Sequence, residues 1–565
     1  MKIPFFSQRQ NKPAKSIPAA ESSSLSPSDI ILQYHEQTKH HYYRFAKSLG
    51  FLDWDNQPSP FRRFNGAPLF QMPLLPLSNE PSYAAIFQQT IPQELSFTTL
   101  SKFFRNALAI SAWKRVEDVR WSLRVNPSSG NLHPTEGYLI LPYCLPEIKS
   151  GVYHYAPREH ALEQRASLDS ELIKLQLRQF PERTFFVGLT SIHWREAWKY
   201  GERAYRYCQH DAGHALAALR ISAAVLGWQM VLLDELSDEA VGRLLGLNRA
   251  QDFEQAEDEY PDCIAAVFPT EKLSSNVFIG EGMIKTIENS KWNGNANLLS
   301  ESHVEWEIID QAARTSYKPE TEVMQHPMRS NQSQLPVSFS SISAEQIIQQ
   351  RRSCLALDGV TSISRPVFYS ILSSVVPSIN LIPFDSLQRS ELGMPRIHLA
   401  LFVHRVDDVE PGLYFLVRKA GAESELKNAM NSKFQWKKPE GCPDELDLFL
   451  LESGDFRAIA TGVACGQEIG GDGVFSLGMI AEFERPIRNI GPWMYKRLFW
   501  ESGVIGQVLY LQAEAAGIRS TGIGCFFDDP MHERLGLKDR RFQDLYHFTM
   551  GGNVEDTRLT TESAY

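Results

Sequence analysis

Paired cysteines, a basic excess and long apolar runs are all missing from this chain of 565 residues. Its seven cysteines (Cys144, Cys208, Cys263, Cys354, Cys442, Cys465 and Cys525) form no CxxC pair and are odd in number. That leaves no zinc-type spacing and no complete disulfide framework, and it fits reduced thiols in a cytoplasm. A net charge of −10 argues against a protein that grips nucleic-acid backbones, which needs a basic face. No apolar run approaches the roughly 20 residues of a membrane span. The start, "MKIPFFSQRQNKPAKSIPAAESSSLSPSD", has no apolar core of signal-peptide length, so residues 1–30 read as a disordered tail. A cytoplasmic globular protein is expected, too long for a single core.

What is present is a repeat. Shifted by 290 positions, "GERAYRYCQHDAGHALAALRISAAVLGW" from Gly201 lies over "GPWMYKRLFWESGVIGQVLYLQAEAAGI" from Gly491 without a gap. Ten of the 47 positions from Gly201 to Leu247 are identical to their counterparts, among them Gly213/Gly503 and Asp238/Asp528. Average composition would give about three. Upstream, "GVYHY" at 151–155 echoes "GLYFL" at 412–416, each after an apolar strand. Two homologous domains are expected, 31–268 and 341–565, joined by a polar linker over 269–340 with some helix in it. Short β-branched or aromatic runs (184–190, 262–268, 456–464) alternate with helical patterns, so the class is α+β. The repeated helix near 211–226 and 501–516 is rich in Ala and Gly, which lets helices approach closely. Asp211 and Glu501 would suit its N-termini.

Some motifs occur only once. "RVNPSSGNLHPTEGYLI" places Pro127, Ser128, Ser129, Gly130 and Asn131 just before an apolar strand, more polar side chains than a turn needs. "QQRRSC" places Arg351, Arg352 and Ser353 after a helix that Ser343 and Gln346 would open as a capping box. "GIGC" gives Gly522, Ile523, Gly524 and Cys525, where the first repeat has bulky Leu232 to Glu235. The first repeat offers only Arg62-Arg63-Phe64 against Arg-x-Ser. The "PSINLIP" of the second, at 377–383, is one residue short and misplaced.

Together these stretches resemble the nitroreductase-fold flavoproteins, specifically the SagB-type (ThcOx-like) dehydrogenases, over about 400 residues outside the tail and linker. The resemblance implies two tandem nitroreductase-like domains folded as an intramolecular pseudo-dimer, with FMN between them and a monomeric chain. It implies that Arg351, Arg352 and Ser353 hold the phosphate and ribityl chain, that Gly522–Cys525 lie against the ring, and that Pro127, Ser128, Ser129 and Asn131 close the other side. The halves are complementary, so one complete site and one dead one are expected. The family's second basic residue is Leu355 here, and Arg558 near the C-terminus is the replacement phosphate partner. SagB-type relatives oxidise peptide azolines with an adjacent Lys-Tyr pair, which Lys199-Tyr200 matches. A lysine in a partly dry pocket can serve as base. The structural alternative is a surface lysine beside a packed tyrosine.

Three readings stay beside the peptide azoline dehydrogenase: an NAD(P)H-dependent nitro or quinone reductase, with nicotinamide docking transiently; a small-molecule substrate; and a flavin-free scaffold. The "HDAGH" of 210–214 has zincin-like spacing, yet its second copy, 500–504, has no such ligands, and no metal is expected.

Overall fold

The computed structural model describes residues 25–88, 90–270, 277–322, 342–377, 382–387 and 393–565. Each repeat is built on an antiparallel sheet. The first contains β1 (Thr135–Leu141), β2 (Gly151–Ala156), β3 (Ala161–Ser167), β4 (Phe185–Ser191), β5 (Gln229–Leu232) and β6 (Tyr260–Phe268), in the order β3-β2-β1-β4-β6-β5. The second contains β7 (Ile397–Val403), β8 (Gly412–Leu416), β9 (Leu448–Ser453), β10 (Phe475–Glu482), β11 (Arg519–Ile523) and β12 (Phe542–Gly551), in the order β9-β8-β7-β10-β12-β11. The two orders are the same path. Every residue of β1, β4 and β7 is buried, so these strands are covered on both faces and are mostly apolar rather than alternating.

Two 22-residue helices, α3 (Ala204–Val225) and α7 (Met494–Ala515), cross at the centre and join the repeats. A Cβ on Gly213 would lie 2.3 Å from the Trp500 carbonyl oxygen, and one on Gly503 would lie 2.2 Å from the His210 carbonyl oxygen. His210 and Trp500 are themselves 290 apart, so the crossing is pseudo-symmetric, and its conserved spacing is what the Gly213/Gly503 identity is for. Each repeat also clamps the other by charge. Asp528 at the start of α8 (Asp528–Leu535) takes Arg203 at 2.9 Å and Arg206 at 2.7 Å. Asp238 at the start of α4 (Asp238–Leu245) takes Lys496, the counterpart of Arg206, at 2.5 Å. Burial would raise the Asp528 carboxyl, but the two guanidiniums hold it well below the usual range.

The same device introduces both repeats. After α1 (Pro27–Gln37), Thr38 bonds back to the Tyr34 carbonyl and the His40 N–H reaches Asp528 at 2.9 Å. After α5 (Glu307–Thr315), Ser316 bonds back to the Ala312 carbonyl and the Lys318 N–H reaches Asp238 at 2.9 Å. Each introducing helix is thus tied to the α-helix of the other repeat. At the far end, Thr560–Glu562 pairs with Ile110–Val116 of the first repeat, which is itself paired with Val119–Arg124.

Four expectations change. Helix α1 starts inside the expected tail, with the Ser26 side chain capping it; residues 1–24 lie outside the described residues. The 269–340 stretch carries α5, Glu281–Glu288 and a strand, Lys291–Trp292, that extends the first sheet beside β3, because its periodic apolar residues bury Met283, Ile284 and Ile287. Residues 457–463 form a helix rather than a strand, burying Ala460 and Val463 at helical spacing. The central helices begin about two turns before Asp211 and Glu501, so neither acid is an N-terminal residue.

Candidate functional site

Between the repeats lies a cavity of about 490 Å³, and its wall contains every residue that the resemblance assigns to the flavin site or the Lys-Tyr pair except Arg558. The first repeat supplies the loop from Asn126 to Asn131, Lys199 and Tyr200 at the end of α2 (His193–Tyr200), and side chains from α3. The second supplies Arg351 to Leu355, directly after α6 (Ala344–Gln350), and Thr521 to Cys525, at and after the end of β11. The Ser343 side chain caps α6 through the Gln346 N–H, as the capping pattern suggests.

The Pro127–Asn131 loop is folded by its own polar groups. Gly130, Asn131 and His133 have positive φ, of 58°, 61° and 54°. The Ser128 hydroxyl accepts from the His133 N–H at 2.8 Å, and the Asn131 amide donates to the Ser122 carbonyl at 2.9 Å. Ser129 donates to the Asp211 carboxyl twice, from its N–H at 3.0 Å and its hydroxyl at 3.1 Å. Beneath the loop, the buried Arg195 donates to the His133 carbonyl and pairs with Glu136. A Cβ on Gly130 would fall 2.6 Å from the Tyr200 hydroxyl and 3.2 Å from Lys199 Nζ, so a larger residue at this φ of 58° would push on the Lys-Tyr pair. Lys199-Tyr200 therefore faces the same cavity as the loop.

On the opposite wall one phenol organises the second repeat. Tyr510 accepts from the Gly522 N–H at 2.8 Å and meets the Ser353 hydroxyl at 2.9 Å, while Arg351 lies over its ring. Arg351 donates to the Arg124 carbonyl, crossing between the repeats. The glycines allow close approach: a Cβ on Gly522 would overlap the Tyr546 hydroxyl, and one on Gly524 would come within 2.5 Å of the Tyr207 ring. Tyr207 donates to the Gly524 carbonyl at 3.1 Å and so orients that peptide.

The wall is electrically lopsided. Lys114, Arg124, Lys199, Arg351 and Arg352 line it against a single carboxylate, Asp211. Burial raises the Asp211 carboxyl to about 7, against the pull of its serine donors. Burial, with Arg351 beside it, lowers Arg352 to about 10. The Cys525 thiol is drawn down by a hydrogen bond from Cys465. Several deeply buried wall atoms have no protein partner: Asn126 Oδ1, His133 Nδ1, His214 Nδ1, Arg124 Nε and Arg351 Nε. Unmatched cations, orphaned donors and acceptors and a glycine-lined slot are the donor set a flat, dianionic cofactor requires, so the residues present fit FMN.

Arg558 is not brought in; it lies in the turn before Thr560–Glu562, exposed and bonded to Asp556. Sequence reasoning missed Lys114, Arg124, Asp211, Tyr207, Tyr510 and Tyr546. Only Asp211 left a trace, as an acid paired with Glu501. His210 and His214, the zincin-like pair, pack on Tyr546.

At the mirror position the described residues leave a space of only about 30 Å³, beside Arg497 and Glu501. Arg497, counterpart of Tyr207, is ion-paired with Asp234, counterpart of Gly524. Glu501, counterpart of Asp211, takes Arg418 at 2.6 Å. Arg62 is buried against Glu257 and Glu259, and Arg63 pairs with Glu159 and Glu163, so neither is free for an anion. Residues 378–381 of the "PSINLIP" stretch lie outside the described residues.

Comparison with known proteins agrees with this architecture. Residues 92–255 match the profile of the nitroreductase family. The trifolitoxin-processing protein TfxB of Rhizobium leguminosarum bv. trifolii is 30% identical over 192 residues, covering 30% of this chain and 50% of that protein, so the chain spans half the length of this curated relative. A crystal structure from Anabaena variabilis, ascribed to the nitroreductases, superposes with a TM-score of 0.66 at 22% identity, over 93% of this chain and 99% of that one. At that identity the likeness speaks for the fold alone. Among the described residues no helix is long and apolar enough to cross a membrane. Residues 92–255 thus match the nitroreductase family, and the chain has an α+β fold of two tandem nitroreductase-like domains.

Proposed function

We propose that this chain is an FMN-dependent oxidoreductase with a single site shared by its two repeats, and that it acts as a SagB-like dehydrogenase on an organic substrate, a peptide azoline being the first to try. The observation that carries the reading is one cavity holding both half-sets of motif residues, with five cations against one acid, while the mirror position is closed by Asp234 and Arg497. TfxB's name adds peptide processing as the context in which to look.

FMN, when bound, supplies a two-electron acceptor. The chain's own residues do the rest. Arg351, Arg352, Ser353 and Lys114 hold the phosphate by charge-assisted bonds. The backbone of Gly522–Cys525 and the Pro127–Asn131 loop hold the ring from two sides, and the apolar body of the wall excludes water. Lys199 takes the substrate proton at Nζ. Burial keeps the Tyr200 phenol far above its ordinary range, so it remains a donor that fixes the substrate oxygen or nitrogen.

The test is the visible spectrum of the purified chain with released flavin counted. One FMN per chain is expected, lost in the Arg351→Ala/Ser353→Ala double variant and also in Asn131→Ala. Two per chain would remove the single-site claim. None, even after soaking in FMN, would leave a flavin-free scaffold. In the flavin-loaded protein, azoline oxidation that fails in Lys199→Ala supports the dehydrogenase; NAD(P)H consumption with a quinone and no azoline oxidation supports a reductase.

A further inference from the structure

We propose that a second pocket, at the opposite end of α2 from Lys199-Tyr200, binds an organic cation: an alkylammonium or alkylguanidinium group. The pocket, about 300 Å³, lies between His193 and Trp194 of α2, Tyr260 at the start of β6, and Trp306 and Asp310 at the first turns of α5. Four carboxylates line it, Glu257, Asp258, Glu305 and Asp310, and no lysine or arginine does.

Glu257 is already committed, to Arg62, to His303 at 2.9 Å and to the Leu299 and Ser300 N–H groups. The other three are not. Asp310 receives only the Tyr260 hydroxyl, at 3.4 Å, and Asp258 and Glu305 have no cationic partner among the described residues. Arg314, one turn beyond Asp310, forms no ion pair with it.

An acidic cluster alone would be no more than a solvated face. The independent observation is His193, which lines the pocket, is 5% exposed and has a buried Nδ1 with no partner. The ring stacks on Tyr260 at 4.2 Å. Burial, helped by Lys496, holds this imidazole down to about 3, so it stays neutral and can accept. The buried Trp306 Nε1 is also unpartnered. An orphaned acceptor, unpaired carboxylates and the indole and phenol faces of Trp194, Trp306 and Tyr260 converge on a group that donates N–H bonds, carries positive charge and has an apolar stem.

The pseudo-symmetry sharpens the argument. At the mirror position the introducing helix is α1, and there the chain supplies its own guanidinium groups. Arg488 pairs with Asp29 of α1 and with Glu484, both at 2.9 Å, and Arg540 reaches Glu484 at 3.5 Å. At α5 other acids line the pocket and no guanidinium of the chain does, so it comes from outside.

The cation can be a free amine or the basic side chain of a peptide. Two titrations of the full-length protein separate them, followed by the fluorescence of Trp194 and Trp306 against a Trp194→Phe/Trp306→Phe control. One uses agmatine; the other uses an arginine-containing peptide beside its citrulline analogue. Saturable binding of agmatine, weakened about tenfold by Glu305→Gln/Asp310→Asn, supports a free amine. Binding of the arginine peptide but not of the citrulline one, with the same loss, supports a side chain. Glu305 is exposed, so Glu305→Gln alone keeps the test valid if the double variant is unstable. No saturation by either probe up to about 10 mM, or affinity untouched by both variants, overturns the proposal. Flavin content is expected to stay unchanged throughout.

Discussion

In the cavity Tyr207 faces Gly524; at the mirror position Arg497 faces Asp234, and the two are joined by charge. One helix-and-loop frame, repeated 290 residues later, is open in the first case and closed in the second. Asp211 and Glu501 repeat the lesson. Both sit mid-helix and both accept backbone N–H groups from the loop before the first strand of their sheets, Ser129 for one, Arg396 and Ile397 for the other. Arg418 pairs with Glu501, whereas among the described residues no cation pairs with Asp211. A duplicated interface need keep only one working site, and side chains released from the other are free to become interface.

The largest effect should come from copying the closed position into the open one. Gly524→Asp places a side chain where a Cβ already meets the Tyr207 ring at 2.5 Å. Flavin affinity is expected to fall at least about 100-fold, with folding retained because the mirror frame already carries an aspartate there. Retention of flavin in this variant, measured by absorbance after gel filtration, would break the comparison.

Next is the closed position itself. Asp234 and Arg497 are only 10% and 11% exposed, so Arg497→Ala strands a largely buried carboxylate. A loss of about 3–5 kcal/mol in urea unfolding is expected, mostly recovered in Asp234→Ala/Arg497→Ala, with flavin content unchanged. An unchanged midpoint for Arg497→Ala would mean that this pair is not what closes the position.

Much of this was legible beforehand, for a physical reason. Pro127–Asn131, Arg351–Ser353 and Gly522–Cys525 are contiguous, and each combines residue types that ordinary turns do not demand. All three line the cavity. Tyr207, Tyr510 and Tyr546 are scattered on helices and a strand, where an aromatic at core spacing looks the same whether it faces a ligand or the interior. The 457–463 run was misleading because Ile and Val favour strands, while burial of Ala460 and Val463 on one face decided for helix. The start of the second repeat at α5 was hidden because Ser316 and Lys318 act through backbone and hydroxyl bonds that other residues, Thr38 and His40, make equally well.

The Asp211/Glu501 contrast predicts a pH effect. The Asp211 carboxyl ionises near 7 in the folded chain and near 3.8 when exposed. Below both values the group is protonated in either state and contributes no pH dependence. As pH rises from about 4 to 7 the unfolded chain loses this proton first, so the folded state loses stability, by up to about 4 kcal/mol, and then levels off. Asp211→Asn should flatten that decline while keeping an acceptor for Ser129. Parallel pH profiles of unfolding for the two proteins would show that Asp211 is charged in the folded state at neutral pH.

The smallest expected effect belongs to the strap that closes the molecule. Arg558 carries a positive charge close in sequence to Leu559, which does line the cavity, yet its guanidinium is turned to Asp556 and its side chain is 80% exposed. Lys114, on the strand against which Thr560–Glu562 pairs, lines the cavity and bonds to Thr561. Arg558→Ala is therefore expected to change FMN affinity by less than about twofold, while Lys114→Ala weakens it about tenfold, the order of one charge-assisted contact to phosphate. The two variants each remove one positive charge, from the strap and from the strand beneath it, so their ratio, read from fluorescence titration of flavin-stripped protein, isolates position from charge. An equal loss in both would mean that the cavity senses only the net field of the strap, and that a phosphate there is steered rather than held.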